Sequence, residues 1–257
     1  MAKAKRGATD LFGIIAVDKP CGMTSHDVVD AVRHLTGEGR VGHAGTLDPM
    51  ATGLLLVCVG PATRLSEAIM SKDKVYEARI AFGAATDTDD AQGAIIAQAP
   101  LPESLDDEGF ARRILEDFVG KQQQVPPQYA AIKKDGRKAY ESARQGKPVH
   151  LESRTIIVHS LALIEAVNDH WDIEARVSKG AYIRALARDI GEAVGSKAHL
   201  ASLRRVRCGK VSLEQAHSLE DLEKDDIRAF FLNPQTELGI AEESIPEGLR
   251  DALYHAR

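Results

Sequence analysis

Arg40-Val41-Gly42-His43-Ala44-Gly45-Thr46-Leu47-Asp48-Pro49-Met50-Ala51-Thr52-Gly53 is a glycine-punctuated loop with one histidine and one aspartate, and Leu54-Leu55-Leu56-Val57-Cys58-Val59 after it reads as a buried strand. Gly42, Gly45 and Gly53 let the backbone turn tightly and pass close to a ligand. Pro49 fixes its own φ, removes a donor and pushes Asp48 toward an extended conformation. A carboxylate is thereby held at one point of a loop braced by a core strand, a common way of placing a functional group. On the residues alone, Asp48-Pro49 also fits a helix N-cap with proline at the first helical position. The phosphate-loop spacing GxxxxGK[ST] does not occur.

Working outward, Gly13-Ile-Ile-Ala-Val17 reads as a short buried strand and Asp18 to Met23 as a turn. Thr24 with Asp27 three residues on is a capping-box signature. Val28, Val29, Val32 and Leu35 give the following helix an apolar face, with Arg33 and His34 outward and Gly37 as its stop. Beyond the strand at 54–59 comes a short helix near 63–70. Lys74 to Phe82 then alternates, with Tyr76, Ala78, Ile80 and Phe82 on one strand face and Glu77 and Arg79 on the other. By pattern alone Tyr76 is a core tyrosine. Thr86-Asp-Thr-Asp-Asp90 with Gly93 is an acidic turn, too short for an EF-hand and without its distal glutamate.

A helix is expected over roughly 107–119, with Phe110, Ile114, Leu115 and Phe118 inward. Val125-Pro-Pro-Gln-Tyr129 is extended and stiffened by proline. Lys133-Lys-Asp-Gly-Arg-Lys138 is a basic turn, followed by a short helix near 138–144. This stretch interrupts the rhythm of the chain like an inserted basic finger. Strands follow at 155–166 and 171–177, a helix from Gly180-Ala-Tyr-Ile-Arg184 to about 194, and an extended stretch from Leu200 to Val206. Strands and helices mix without strict βαβ alternation. The expected class is α+β, a mixed and mostly antiparallel sheet flanked by helices and loops.

The chain has 257 residues, 44% hydrophobic and 28% charged, an ordinary globular composition. Its longest apolar run is far short of the ~20 residues of a membrane span. The basic segment Met1 to Gly7 lacks a following apolar stretch and cleavage site, so no secretory signal is expected. Cys21, Cys58 and Cys208 are too scattered for a disulfide framework, and the nine histidines form no HExxH cluster. A cytoplasmic, metal-free protein follows as the expectation. The net charge of −5 is unevenly spread: residues 218–257 carry −6, whereas 121–154 hold eight Lys or Arg against three acids. Arg204, Arg205, Arg207 and Lys210 form a second basic cluster. Local basic patches rather than the global sum attract phosphates.

The complete string 40–53 resembles the catalytic loop of the TruB family, the tRNA pseudouridine synthases that modify the T-loop uridine at tRNA position 55. In that family the aspartate of the GHxGxLDPxATG pattern is the nucleophile, which matches Asp48. The likeness runs from about residue 11 to 210 and includes Val17-Asp-Lys-Pro-Cys-Gly-Met-Thr-Ser25, Lys74-Val-Tyr-Glu77, Ser178-Lys-Gly-Ala-Tyr-Ile-Arg184 and Leu203-Arg-Arg205. It implies the pseudouridine synthase fold, with His43, Tyr76, Tyr182 and Leu203 contacting RNA or its target base. It also implies that Arg184 pairs with Asp48 and that Lys19 supports the site. Without the family, Leu203 reads as a core leucine and Arg184 as a surface helix arginine. The insert at about 121–154 looks like the loop that grips the T stem-loop of tRNA. The implied enzyme is a monomer without cofactor.

The residue types suit such chemistry. Converting uridine to pseudouridine breaks a C–N bond and makes a C–C bond, with no electrons or external groups gained. An ionised carboxylate in a water-excluding site is required, and an adjacent guanidinium favours that form. A ring that stacks on uracil fits Tyr76, whose phenol could help to move a proton.

Many bacterial members carry a C-terminal PUA RNA-binding domain. Here residues 1–217 are expected to form the catalytic domain and 218–257 a short acidic extension, with the PUA domain absent or vestigial. This end holds little core-forming material beyond Phe230, Phe231 and Leu232, and its charge could compete with RNA for basic surfaces. Three other readings compete: a non-catalytic tRNA-folding chaperone that needs the insert and His43 but not Asp48, a guide-RNA-dependent synthase of the dyskerin type, and a metal-dependent hydrolase, the weakest for want of ligand spacing.

Overall fold

The apolar run after the Asp48 loop becomes a strand buried on both faces, and the first half of the fold is organised around it. In the computed structural model, residues 9–130, 133–134, 137–138, 149 and 151–245 are described. Among them the strands are β1 (Gly13–Lys19), β2 (Val41–His43), β3 (Thr52–Val59), β4 (Lys74–Phe82), β5 (Ala84–Thr86), β6 (Ile95–Gln98), β7 (Gly120–Gln124), β8 (Lys133–Lys134), β9 (Arg137–Lys138), β10 (Arg154–Val167), β11 (His170–Val177), β12 (Ala198–Cys208) and β13 (Val211–Ser212). The α-helices are α1 (Ser25–Thr36), α2 (Ser66–Met70), α3 (Glu108–Asp117), α4 (Ile183–Ala193) and α5 (Leu219–Leu222). The expected helix near 138–144 lies outside the described residues, apart from Lys138 itself. No helix among the described residues is long and apolar enough to cross a membrane.

The chain divides into two compact units, Met1–Val75 with Arg204–Arg257, and Tyr76–Leu203. In the first, β1 runs antiparallel to β3 along its whole length, from Gly13↔Val59 to Lys19↔Gly53. β2 is also antiparallel to β3, while β12 meets it in parallel at Arg204↔Thr52 and Arg205↔Gly53. An apolar run without alternation suits a strand covered on both faces. α1 starts as expected, with Thr24 and Asp27 forming the reciprocal capping box, and stops at Gly37 in the left-handed region at φ 63°.

The acidic end does more than its composition suggested. Leu238, Ile240 and Ile245 are buried with Phe12, Ile14, Leu54, Leu56 and Leu65 in the core of this unit. Residues 217–232 run along β1: Asp18 N–H donates to His217 O at 2.9 Å and Leu232 N–H to Ile14 O at 2.8 Å. The Phe231 ring lies so close to Gly13 that a Cβ there would sit 2.1 Å from it. The expectation of little core-forming material is therefore corrected. These apolar residues lack helical or strand periodicity, so their burial was invisible as pattern.

In the second unit the strand order is β4-β11-β10-β7, with β10 antiparallel to both neighbours. β4 alternates as expected, with Tyr76, Ala78, Ile80 and Phe82 buried and Glu77 and Arg79 exposed. Trp171 fills the centre: fully buried, it donates its indole N–H to Leu105 O at 2.7 Å and meets the Phe82 ring edge-on. β5 and β6 form a separate small hairpin. The class is α+β with a mostly antiparallel sheet, as the sequence indicated.

Candidate active site

In the first unit, the Asp48 loop is pinned from both sides by side chains distant in sequence. His43 closes β2 opposite Val57, and Ala44 N–H extends the pairing to Leu56 O at 2.8 Å. Beneath the loop, buried Arg205 donates from Nε to Leu54 O at 2.7 Å and from Nη2 to Gly45 O at 3.0 Å. Ser25 Oγ accepts from Leu47 N at 2.8 Å and donates to Leu47 O at 3.0 Å, so α1 grips the residue before Asp48. Ala51 N–H donates to Asp48 O at 3.0 Å and closes a tight turn around Pro49-Met50. β3 begins at Thr52 and no helix follows Pro49, so the N-cap reading of Asp48-Pro49 is excluded.

Lys19 is wholly shielded from solvent. Its Nζ donates to Pro20 O at 2.9 Å, Met23 O at 2.6 Å and Pro49 O at 3.4 Å, using all three of its donors. Gly22 N–H reaches the same Pro49 carbonyl at 2.8 Å. Burial pushes the Lys19 ammonium below the ordinary lysine range, and electrostatic interactions, with Asp48 among their sources, oppose that fall. The half-buried Asp48 thus sits within reach of the field of a buried cation. Gly53 is required here: at φ 96°, a Cβ on it would lie 2.3 Å from the Arg205 carbonyl oxygen.

His43 is half-buried, and its Nδ1 is shut from solvent with no hydrogen-bond partner among the described residues. Burial first, then Arg205 and His26, hold its pKa below the usual 6.5, so the ring is neutral at pH 7.

In the second unit, Tyr76 and Leu203 are buried apart from a sliver of surface, 9% and 8% exposed. Tyr182 immediately precedes α4; its N–H donates to Gln124 Oε1 at 2.8 Å and its carbonyl accepts from Gln124 Nε2 at 3.1 Å. Arg184, in the first turn of α4, is only 4% exposed. It donates to Thr88 O at 2.9 Å and Tyr129 O at 3.2 Å and lies 3.5 Å from Asp90. The reading of Arg184 as a surface arginine is therefore overturned. Asp90 is itself knitted into the acidic turn, accepting from Thr88 Oγ1 at 2.6 Å and Gln92 N at 3.0 Å.

His43, Asp48 and Lys19 thus come together in the first unit, with Ser25 and Arg205 as supports that the sequence did not single out. Tyr182 and Arg184 come together in the second, with Gln124 and Asp90. Two members of the second basic cluster are not a phosphate patch: Arg205 is spent on carbonyls, and Arg204 pairs with Asp18 at 2.8 Å. One group of described side chains, Glu165, His170 and Asp172, could converge on a cation. Arg79 already holds Asp172 through two bonds, at 2.7 and 2.6 Å.

Comparison with known proteins identifies the family. A family model described as TruB family pseudouridylate synthase (N terminal domain) matches residues 33–183, and one described as tRNA pseudouridylate synthase B C-terminal domain matches 184–229. The tRNA pseudouridine synthase B of Bordetella avium is 39% identical over 249 residues, spanning 97% of this chain and 99% of the relative. Its namesake in Psychrobacter cryohalolentis is 43% identical over 216 residues, 82% of this chain and 60% of that relative. A solved H/ACA RNP bound to a substrate RNA containing 2'-deoxyuridine superposes with a TM-score of 0.61 at 28% identity, over 90% of this chain and 56% of that one. This chain thus spans less than two thirds of the Psychrobacter relative and of that solved chain, but nearly the whole of the Bordetella relative. With a matching family model over residues 33–183, a span that includes the Asp48 loop, the chain belongs to the TruB family of pseudouridylate synthases.

Proposed function

We propose that this chain converts the T-loop uridine at tRNA position 55 to pseudouridine, with Asp48 as the nucleophile. The observation that carries the reading is the placement of Asp48 on a turn whose backbone is immobilised by Lys19, Ser25 and Arg205. A reacting carboxylate gains from such preorganisation, because no reorganisation is left for the moment of reaction. Asp48 adds to C6 of uracil or to C1′ of ribose. The C1′–N1 bond breaks, the freed uracil turns, and C1′ joins C5. C5 then loses its proton to solvent, N1 gains one, and Asp48 departs unchanged, so atoms and electrons balance without an external reagent.

The remaining roles follow the resemblance. Arg184 pairs with Asp48 and keeps it ionised. Tyr76 stacks on the flipped uracil, and Tyr182 and Leu203 line the base. Extruding a stacked T-loop uridine costs a few kcal/mol. His43 fills part of the vacated stack, a task suited to a neutral ring. Residues 1–217 act as the catalytic domain, the basic insert at 121–154 grips the T stem-loop, and a monomer suffices.

The test is an unmodified tRNA transcript tritiated at uracil C5. Tritium release is expected from this transcript and not from one with cytidine at position 55. Release from neither, with RNA binding intact, would favour the folding chaperone; release from both would move the target elsewhere.

A further inference from the structure

Arg154 opens β10 and stands directly opposite Gln124 of β7. Both side chains converge on Tyr182. Gln124 brackets its backbone, as described above, while the Arg154 guanidinium lies over its ring, 4.5 Å from the centroid. This contact engages the face of the guanidinium and leaves its edges available. Yet Arg154 Nε and Nη2 are shut from solvent and have no hydrogen-bond partner among the described residues.

A guanidinium stays charged at any ordinary pH, and dry, unmatched donors on a charged group are strongly unfavourable. Arg205 by contrast uses its Nε and Nη2 on the carbonyls of Leu54 and Gly45. Arg154 therefore has the chemistry of a site awaiting an acceptor. A planar fork of two parallel N–H groups matches a pair of oxygens on one atom, a carboxylate or a phosphate. Two described lysines flank these elements: Lys121 lies on β7, and Lys179 is exposed just ahead of Tyr182. Because Arg154 as a whole is half-buried, its flexible stem can bring that edge to an oxygen pair arriving from solvent.

We propose that Arg154 clamps a backbone phosphate of the RNA on its Nε–Nη2 edge, seated on the Tyr182 ring. The inference rests on the RNA-modifying reading above and deepens it. One tyrosine then links two tasks, contact with the target base and alignment of the phosphate clamp, so that backbone register is read at the edge of the site itself.

The test is RNA affinity as a function of salt, measured with an unmodified tRNA transcript on the full chain. Asp48→Asn is present in every arm that compares Arg154 with its variants, so that the RNA is not turned over, and one further arm keeps Arg154 and Asp48 both intact. Arg154→Gln is expected to weaken binding about three- to tenfold and to lower the slope of log affinity against log salt by about 0.7–0.9, the loss of one phosphate contact. Arg154→Lys, which keeps the charge but not the fork, is expected to retain the slope and bind less tightly than Arg154. An unchanged slope in folded Arg154→Gln would overturn the proposal, even if affinity fell, because a contact to a base carbonyl releases no counterion. Should Arg154→Gln fail to fold, Arg154→Lys decides, and full affinity in that variant overturns the clamp. Absence of RNA binding by the chain with Arg154 and Asp48 both intact would overturn the RNA reading and this proposal together, whereas an unchanged slope overturns this proposal alone.

Discussion

Two aspartate-bearing turns, one in each unit, are held in opposite ways. Around Asp48 the work is done by others: Lys19 and Gly22 hold Pro49 O, Ser25 holds Leu47, and Arg205 holds Gly45 and Leu54. Around Asp90 the aspartate is itself the fastener, taking bonds from Thr88 and Gln92 beside the buried Arg184. Both turns anchor an arginine on backbone carbonyls, so the arginines do not distinguish them. What differs is the origin of the bonds described for each turn: around Asp48 they come from side chains distant in sequence, around Asp90 from the carboxylate itself.

The sharpest break in this contrast is expected from Asp48→Asn, which should lower turnover by at least about 10³-fold while moving the melting midpoint by no more than about 2–4 °C. Gly53→Val attacks the support rather than the carboxylate. A side chain at φ 96° against the Arg205 carbonyl should cost about 4 kcal/mol in urea unfolding, and unchanged stability would show that β3 and β12 do not approach so closely. Asp90→Ala should cost about 3 kcal/mol, because it removes an anion beside a buried guanidinium together with the bonds that knit the turn, and a stable variant would deny Asp90 its fastening role.

A pH series separates His43 from both turns. Its folded pKa is depressed below 6.5 by burial, so the unfolded chain binds the proton more readily. Stability is therefore fully present above about 6.5 and declines as pH falls through the window below it. The melting midpoint of His43→Phe should decline less over that window, and His43→Ala should lose more RNA affinity than His43→Phe. Equal losses in the two variants would remove the stacking role. The smallest effect is expected from Arg79→Ala, whose exposed pairing with Asp172 should leave the melting midpoint almost unmoved.

Local signals in the sequence were read correctly where the cause was itself local. The capping box at Thr24 and Asp27, the stop at Gly37, the unbroken apolar run of β3 and the alternation of β4 each depend on neighbours within a few residues. The supports of the site do not. Arg205 meets Leu54 from 151 positions away, and Lys19 meets Pro49 from 30, so Arg205 read as one member of a basic cluster and Lys19 was placed at the site only by the family resemblance. Arg184 was misjudged without the family for the same reason, its carbonyl partners lying 96 and 55 positions away. Leu238, Ile240 and Ile245 escaped notice because an irregular segment buries side chains without a repeat. Asp48 itself was legible as a placed carboxylate, but whether it began a helix or a tight turn was decided only by the bonds to Pro49 and Ala51.

Single-turnover tritium release from a uracil-C5-labelled tRNA transcript, run on Asp48→Asn and Asp90→Asn and scaled to the folded fraction of each, weighs the two turns against one another. The expected result is no release by folded Asp48→Asn and measurable release by the Asp90→Asn molecules that remain folded. Release by Asp48→Asn at the rate of the unaltered chain would contradict the assignment of the chemistry to Asp48.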